Sequence, residues 1–213
     1  TQTARSSIAS TPPAVSIALF CLVATRKHNP LINSYILVGY RAHTTHTMPL
    51  ISKIISGGQT GADRAGLDAA IAAGIPHGGH CPRNRRCEYG VVPQRYKLLE
   101  TQSSGYTERT ERNVFNSHCT IVFTYGPATG GSAQTIALAG ALGRPCMHVD
   151  LAVLSNGAAA LQISDWLFVD VGITYSHLLA EPFPVVNIAG SRESRAPRIA
   201  HRVMHILLLI LKS

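Results

Sequence analysis

The chain is poor in charge, in aromatic side chains and in long apolar runs. Charged residues make up 14% and aromatic residues 6% of its 213 residues, and its apolar stretches fall short of the roughly 18 consecutive residues of a membrane-spanning helix. Basic residues interleaved with stacking aromatics, the usual sign of a nucleic-acid surface, are also missing. We therefore expect neither a membrane nor a nucleic acid among its partners.

Other absences limit the chemistry. The five cysteines form no C-x-x-C pair and their number is odd, which favours a reducing, cytoplasmic location over a disulfide framework. No nucleophile elbow, metalloprotease helix or Gly-Lys-Ser/Thr phosphate loop is present. What remains, 46% hydrophobic residues with 18 glycines, is typical of an α/β protein whose helices pack closely on a parallel sheet.

Acidic residues are absent from residues 1–47, which hold four basic ones. Residues 48–213 hold 15 basic and 11 acidic residues, so they contribute +4 to the formal net charge of +8. Three interpretations of the first segment stay open: a signal peptide built on the apolar run 14–24, an organellar transit peptide, or an extension without a folded role, which we favour. We expect a single ligand-binding domain over residues 48–213, with residues 1–47 disordered or extraneous to it.

Strand and helix patterns alternate from residue 48 onward. They predict strands over 50–56, 119–125, 145–150 and 185–189, a short strand near 96–99, and helices over 62–73, 103–116, 132–142 and 197–211. Thr60 and Asp63 have the spacing of a capping box, and Ser103 and Ser104 are candidate caps of the second helix. Residues 166–184 have no clear pattern. The alternation predicts an α/β fold with a Rossmann-like, doubly wound, mainly parallel sheet.

Two glycine-rich turns each join a strand to a helix. The first is Gly57-Gly-Gln-Thr-Gly61 and the second spans residues 126–131. Glycines allow a phosphate to approach the backbone, and the free N–H groups of a helix N-terminus attract anions. Because both turns follow strands of one predicted parallel sheet, we expect them to face one crevice. Tight turns without a ligand are the alternative.

The loop over residues 77–87 is rich in arginine. Arg83, Arg85 and Arg86 are candidate donors to an anion, with solvated surface arginines as the alternative. The same loop holds two histidines and two cysteines, His77, His80, Cys81 and Cys87. Their spacing lacks the paired hairpin and helix ligands of a zinc site, so we expect no metal there.

The second predicted helix carries two more candidates, Arg109 and Asn113. They are four residues apart, so a guanidinium and an amide can be presented to the crevice together. The alternative is a charged outer face on which Glu108 pairs with Arg112.

These motifs resemble the molybdenum carrier (molybdenum cofactor carrier) family. Together with the cytokinin-activating phosphoribohydrolases (lysine-decarboxylase-like proteins) and DprA-type proteins, that family forms a wider Rossmann-like superfamily. The matching strings are ISGGQTGADRAGLD at 55–68, GIPHGGHCP at 74–82, RTERNV at 109–114 and NIAGSRES at 187–194. The resemblance covers most of residues 48–213 and departs from the family at Ser191, where a proline is expected.

The resemblance implies an often oligomeric subunit that carries molybdenum cofactor or binds a related nucleotide-like ligand by its phosphate. With Arg83 added from the loop, the expected ligand-binding residues are Gly57, Gly58, Gln59, Thr60, Gly61, Asp63, Arg64, Arg83, Arg109, Asn113, Gly130, Gly131, Ser132 and Thr135.

A catalytic residue of the related hydrolases is not found in this chain. Those enzymes resemble one another in a glutamate three residues after the threonine of their second turn, whereas the residue three positions after Thr135 here is Leu138, which cannot transfer a proton. We therefore expect a homo-oligomeric binding or carrier protein with no catalytic residue. The alternatives are a nucleoside-phosphate hydrolase using Asp63 or Glu111, an NAD or ADP-ribose sensor, and an interaction subunit without a ligand.

Overall fold

The computed structural model describes residues 50–173 and 184–212. Residues 1–49, 174–183 and 213 lie outside this part of the chain, and with them the interpretations of residues 1–47 and most of the unassigned segment 166–184. The division between residues 1–47 and 48–213 stays a prediction.

Strands and helices alternate through the described residues. The strands are β1 (Lys53–Ile55), β2 (His77–Gly78), β3 (His80–Cys81), β4 (Arg86–Cys87), β5 (Gly90–Val91), β6 (Leu99–Glu100), β7 (Cys119–Thr124), β8 (Cys146–Asp150) and β9 (Val185–Gly190). The α-helices are α1 (Ala62–Ala73), α2 (Tyr106–Phe115), α3 (Gly130–Ala141), α4 (Asn156–Trp166) and α5 (Ile199–Leu211).

Five strands form one parallel sheet in the order β2-β1-β9-β7-β8. Helices α1, α4 and α5 pack together as one group and α2 packs on α3 as another. This architecture confirms the predicted α/β, Rossmann-like, doubly wound fold. No helix within the described ranges is long and apolar enough to cross a membrane.

The main hydrophobic core lies between the central strands and α1, α4 and α5. Phe123 of β7, Ile188 of β9 and Ile206 of α5 are fully buried there, and burying each such side chain contributes about 1.5–3 kcal/mol. A Cβ atom added to Gly66 of α1 would lie 2.7 Å from the Cβ of Ile188. The glycine therefore allows α1 to approach β9 closely, as the composition predicted.

The predicted capping of α1 is wrong. Its N-cap is Gly61, which has a φ of 78° and no side-chain cap. The Thr60 hydroxyl instead donates to the Glu88 carboxylate, while Asp63 accepts the backbone N–H of Gln59. Tertiary contacts of the turn have replaced the local capping box.

Several other element boundaries differ from the prediction. Strand β1 has three residues, the short strand lies at Leu99–Glu100, α3 begins at Gly130, and α5 begins at Ile199. Helix α2 has Gly105 as its N-cap without a side-chain cap, so neither Ser103 nor Ser104 holds that position. The Ser103 hydroxyl accepts the Gly105 N–H at 2.9 Å just before the helix.

Helix α4 is not among the predicted elements. The sequence signal that was overlooked is Ser155. Its side chain caps the helix by accepting the N–H of Ala158 at 3.2 Å. Ala159, Ala160 and Ile163 are its buried residues and belong to the core that α5 shares. A π-helical segment, Leu167–Ile173, continues it.

The long loop between β2 and α2 is organised by one buried arginine, Arg85. Its guanidinium donates at 2.9–3.2 Å to four backbone carbonyl groups, those of Val92, Pro93, Tyr96 and Leu98. Because these bonds hold the guanidinium inside the loop, Arg85 is not available to an external anion. The proposal of Arg85 as an anion donor is therefore wrong.

Candidate functional site

A crevice of about 470 Å³ opens at the carboxyl ends of β1, β9 and β7. Its lining comes from four places: the turn after β1, helix α2, the turn after β7 with the start of α3, and the turn after β9. From β1 the chain continues outward to β2, and from β7 it continues to β8 on the other side. The crevice thus lies where strand order reverses, the usual ligand position in a doubly wound sheet.

The N-terminus of α3 is open to the crevice. Gly130 and Gly131 line it, and Cβ atoms added to them would meet nothing within 4 Å. Their N–H groups meet no acceptor among the described residues, and Thr129 provides no side-chain cap. We call these two N–H groups the α3 cradle. Free helix N-terminal N–H groups of this kind attract an anion.

Strand β8 fixes the turn that leads to the α3 cradle. The Asp150 carboxylate accepts the N–H groups of Ala152 and Gly126 at 2.8 and 2.7 Å, and these bonds lower the pKa of Asp150. The hydroxyl of Thr124 donates to the Gly126 carbonyl at 2.5 Å and contacts His148. The turn is therefore held in place from the neighbouring strand before any ligand arrives.

The glycines of the first turn are packed by the protein itself. A Cβ added to Gly57 would lie 1.9 Å from Arg109 Nη1, one on Gly58 would lie 2.6 Å from Leu98, and one on Gly61 would lie 2.3 Å from the Ser191 carbonyl. None of the three lines the crevice. Protein atoms occupy the space beside these three glycines, and their contact with a ligand stays a prediction.

The N–H groups of the first turn also have protein partners. Those of Gln59, Thr60 and Ala62 donate to the Asp63 carboxylate, the Gln59 side chain and the Ser191 carbonyl. Thr60 does not line the crevice, and its hydroxyl accepts the N–H of Glu193 at 3.3 Å. The first turn is a junction between chain segments, whereas the second turn leaves the N-terminus of α3 open to the crevice.

One part of the crevice lining consists of Gln59, Asp63 and Arg109. We call these three residues the floor. Arg109 Nη1 lies 3.1 Å from Asp63 Oδ2, with 13% and 4% of the two side chains exposed. Burial raises the pKa of the Asp63 carboxyl, and Arg109 opposes that shift. Two buried donors on the floor, Gln59 Nε2 and Arg109 Nε, have no partner among the described residues.

The turn after β9 supplies crevice residues that were not predicted: Ser191, Arg192 and Arg195. They belong to a string already noted for the family resemblance, but they were not proposed as ligand-binding residues. The sequence does contain a signal for these residues. The predicted strand 185–189 is also followed by a glycine, Gly190, and the interpretation based on two glycine-rich turns did not use it.

Two tyrosines line the crevice beside these cations, Tyr106 and Tyr125. The guanidinium carbon atoms of Arg192, Arg86 and Arg109 lie 4.9, 5.7 and 5.8 Å from the centre of the Tyr106 ring. Such contacts orient both the ring and the cations, and an aromatic face beside guanidinium groups suits a planar anionic ligand.

Three predicted side chains lie away from the crevice. Arg83 is exposed elsewhere on the surface, and Arg64 donates to Cys87 Sγ at 3.2 Å. Asn113 is buried, with Oδ1 accepting the N–H of His80 at 2.7 Å and Nδ2 donating to its carbonyl at 3.0 Å. Its proposed presentation to the crevice is therefore wrong, and its amide instead ties α2 to β3.

Replacing Asn113 by alanine should lower the free energy of unfolding by about 2–3 kcal/mol, because both backbone groups of His80 would lose their partner. Urea unfolding measures the change. Asn116→Ala is the control, since that side chain is exposed at the end of α2 and its loss should cost less than about 0.5 kcal/mol. Equal effects of the two substitutions would contradict the assigned role of Asn113.

The remaining predicted residues of α2 and α3 are placed as follows. Ser132 and Thr135 line the crevice, and the Thr135 hydroxyl donates to the Gly131 carbonyl at 2.9 Å. On α2, Arg109 lines the crevice while Glu108 and Arg112 form an ion pair at 2.9 Å on the outer face. Arg109 alone thus agrees with the first interpretation of that helix, and the alternative, an outer face with the Glu108–Arg112 pair, is also present.

Carboxylate and metal-binding groups are few at this site. Asp63 is the one carboxyl group among the described residues that line the crevice; Glu111 and Leu138 lie outside it. Within residues 50–173 and 184–212, no group of three or more His, Cys, Asp or Glu side chains is placed to hold a metal ion.

Comparisons with known proteins agree with this architecture. Residues 54–211 match the family described as the circularly permutated YpsA SLOG family. The chain is also similar to the crystal structure of a putative molybdenum carrier protein from Syntrophus aciditrophicus SB, with 44% sequence identity, a TM-score of 0.68, and coverage of 76% of this chain and 96% of that one. No curated protein matches the chain.

The strand order is consistent with a circular permutation of a doubly wound sheet. The central strand of the sheet, β9, is the last in sequence. If β9 and α5 preceded β1, the sheet order would become 3-2-1-4-5, that of ordinary doubly wound folds. The turn at Gly190 and Ser191 then takes the place of the first strand-helix turn, where such folds bind phosphate groups.

Proposed function

Because the chain belongs to the circularly permutated YpsA SLOG family, we propose that it is a carrier or binding protein for a small phosphorylated ligand with a planar ring. The ligand phosphate binds at the α3 cradle and the turn after β9, and the ring lies against the tyrosines of the crevice. The molybdenum cofactor is the leading candidate, since the solved relative is named as a molybdenum carrier.

The observation that carries this proposal is that the α3 cradle, Arg192 and Arg195 line one crevice. The cradle supplies N–H groups and the positive end of a helix dipole. Guanidinium groups add charge-assisted hydrogen bonds, which are about twice as strong as neutral ones. A dianionic phosphate suits both, whereas a neutral ligand would leave the cations without a counter-charge.

The aromatic side chains support a planar ring beside the phosphate. Tyr106 stacks against Arg192, and Tyr125 lines the same crevice. A heterocycle placed against such a ring gains stacking of about 1–3 kcal/mol when the partner is a nucleic-acid base. A pterin or a purine presents a face of this kind.

The fit to a molybdenum-containing ligand is limited to its organic part. The donors and rings of the crevice suit a phosphate and a heterocycle. Among the described residues that line it, no cysteine or histidine is present to bind the metal itself. In this proposal the chain holds the cargo through phosphate and ring. Homo-oligomerisation, which the family resemblance implies, remains a prediction.

Arg192→Gln should weaken the binding of a ring-bearing phosphate by about 10- to 100-fold, because the guanidinium and its charge-assisted contact are lost while a polar side chain is kept. Isothermal titration calorimetry of the full chain with IMP measures the change. Arg83→Gln is the matched control, since Arg83 is exposed and lies outside the crevice; it should leave the Kd within twofold.

Two results would overturn the proposal. The first is that neither IMP, AMP nor a phosphorylated pterin binds the wild-type chain. The second is that Arg83→Gln and Arg192→Gln weaken binding equally, which would place the phosphate outside the crevice. Metal analysis of freshly purified protein is the companion measurement: stoichiometric molybdenum supports the cofactor as cargo.

A hydrolase is the second candidate, favoured by one observation. Asp63 is a buried carboxyl on the floor with a raised pKa, caused by burial, and a carboxyl of this kind can act as a general acid. Its bond to Arg109 and the N–H of Gln59 also explains it as a structural group. Release of free base from a nucleoside monophosphate, abolished by Asp63→Asn, would favour the enzyme over the carrier.

A further inference from the structure

We propose that Gln59 selects the ligand by donating a hydrogen bond to a carbonyl oxygen of its ring. The inference rests on the proposed function, because it assumes that the phosphate occupies the α3 cradle. It adds the chemistry of the other end of the ligand: an oxo group on the ring, of the kind that 6-oxopurines and pterins carry, in preference to an amino group.

The orientation of the Gln59 side chain is fixed by the protein. Its Oε1 accepts the N–H of Thr60 at 3.0 Å and the N–H of Glu88 at 2.9 Å. If the amide were flipped, its NH₂ group would face two N–H donors and both bonds would be lost. The NH₂ group must therefore point away from these partners.

The NH₂ group of Gln59 is a donor without an acceptor. The residue is 4% exposed and lines the crevice, and Nε2 has no partner among the described residues. Leaving a buried donor unpaired carries a free-energy cost. A ligand oxygen that accepts a hydrogen bond from Gln59 Nε2 removes this cost. The site therefore favours a ligand oxygen over a ligand N–H group at this position.

The charges of the floor decide which oxygen fits. Arg109 is paired with Asp63 at 3.1 Å, so the floor carries close to no net charge. The α3 cradle, Arg192 and Arg195 line the same crevice. A dianionic phosphate is attracted to these donors, and a neutral carbonyl oxygen at the floor avoids repulsion from the Asp63 carboxylate.

A second donor reinforces this selection. Arg109 Nε is also buried without a partner among the described residues. The guanidinium of Arg109 and the backbone N–H of Gln59 share one oxygen of Asp63, so the two residues are neighbours on the floor. A ligand acceptor placed at Gln59 Nε2 pairs with this donor, whereas a ring amino group at the same position would face another N–H group.

IMP and AMP test the inference directly, because they differ at position 6, where IMP carries an oxo group and AMP an amino group. Calorimetric titration of the wild-type full chain should give a Kd for IMP at least about tenfold lower than that for AMP, the effect of one buried hydrogen bond gained or lost. A phosphate ester of 6-hydroxymethylpterin, titrated in parallel, distinguishes a pterin from a purine as the source of the carbonyl.

Gln59→Glu should remove or invert this preference. The carboxylate keeps an oxygen for the N–H groups of Thr60 and Glu88, and it presents an acceptor where the wild type presents a donor. The ratio of the two Kd values is the readout, since it is insensitive to a general change in affinity. Gln162→Glu, an exposed site on α4, adds the same charge outside the crevice and should leave the ratio unchanged.

The outcomes separate this inference from the function on which it rests. If no phosphorylated ring compound binds the wild type, the proposed function fails and the inference fails with it. If both nucleotides bind and the Arg192→Gln substitution weakens both, but AMP binds as tightly as IMP or more tightly, the proposed function stands and the selection by Gln59 is wrong. The wild-type comparison decides this even if Gln59→Glu does not fold.

Discussion

Replacing Arg85 by methionine should lower the free energy of unfolding by about 3–5 kcal/mol. Four backbone carbonyl groups accept hydrogen bonds from this guanidinium, and methionine offers them no donor. Within the described residues no carboxylate pairs with Arg85, so the hydrogen bonds to these four carbonyl groups stabilise the buried cation. Chemical denaturation measures the loss, and the melting temperature should fall by roughly 10 °C or more.

Two further substitutions show which property of Arg85 matters. Arg85→Lys keeps the charge but loses the planar fork that reaches several carbonyls at once. It should recover only part of the stability. Arg83→Met removes an exposed arginine two residues away and should change the free energy of unfolding by less than about 0.5 kcal/mol. Full recovery by lysine would mean that charge, and not hydrogen-bond geometry, organises the loop.

Gly61→Ala should cost about 4 kcal/mol or prevent accumulation of folded protein. Gly61 has φ 78° and ψ −129°, a backbone conformation that is essentially restricted to glycine. Its added Cβ would lie 2.3 Å from the Ser191 carbonyl and 2.7 Å from the Glu193 N. These are backbone atoms, so no side-chain rotation relieves the overlap, and the turn after β9 would have to move.

Gly140→Ala is the matched control for this glycine. Gly140 lies within α3, and a Cβ there would meet nothing within 4 Å. Alanine in a helix interior stabilises by roughly 0.5–1 kcal/mol relative to glycine, so thermal unfolding should show a small gain. A Gly61→Ala protein as stable as the wild type would contradict the packing assigned to the first turn.

Arg85 and Gly61 mark where inference from the sequence was incomplete. The glycines of the first turn suggested a phosphate site, because a strand, a glycine-rich turn and a helix form such sites in many folds. The sequence could not show that the turn after β9 packs on them, since that contact joins residues more than 100 positions apart. The same holds for Asn113, whose partner on β3 is 33 residues away.

Local patterns and tertiary contacts therefore determined different properties of this protein. Apolar strands, helix periodicity and the glycine-rich turns were sufficient to predict the α/β class, the parallel sheet and a glycine-rich turn that leads into the third helix. They depend on neighbouring residues, so one sequence displays them. The position of β9 in the centre of the sheet, which brings Arg192 and the α3 cradle to one crevice, depends on which strands pair. Only the tertiary structure could decide that the last strand enters between β1 and β7, because hydrogen bonds between distant strands and their burial fix that order.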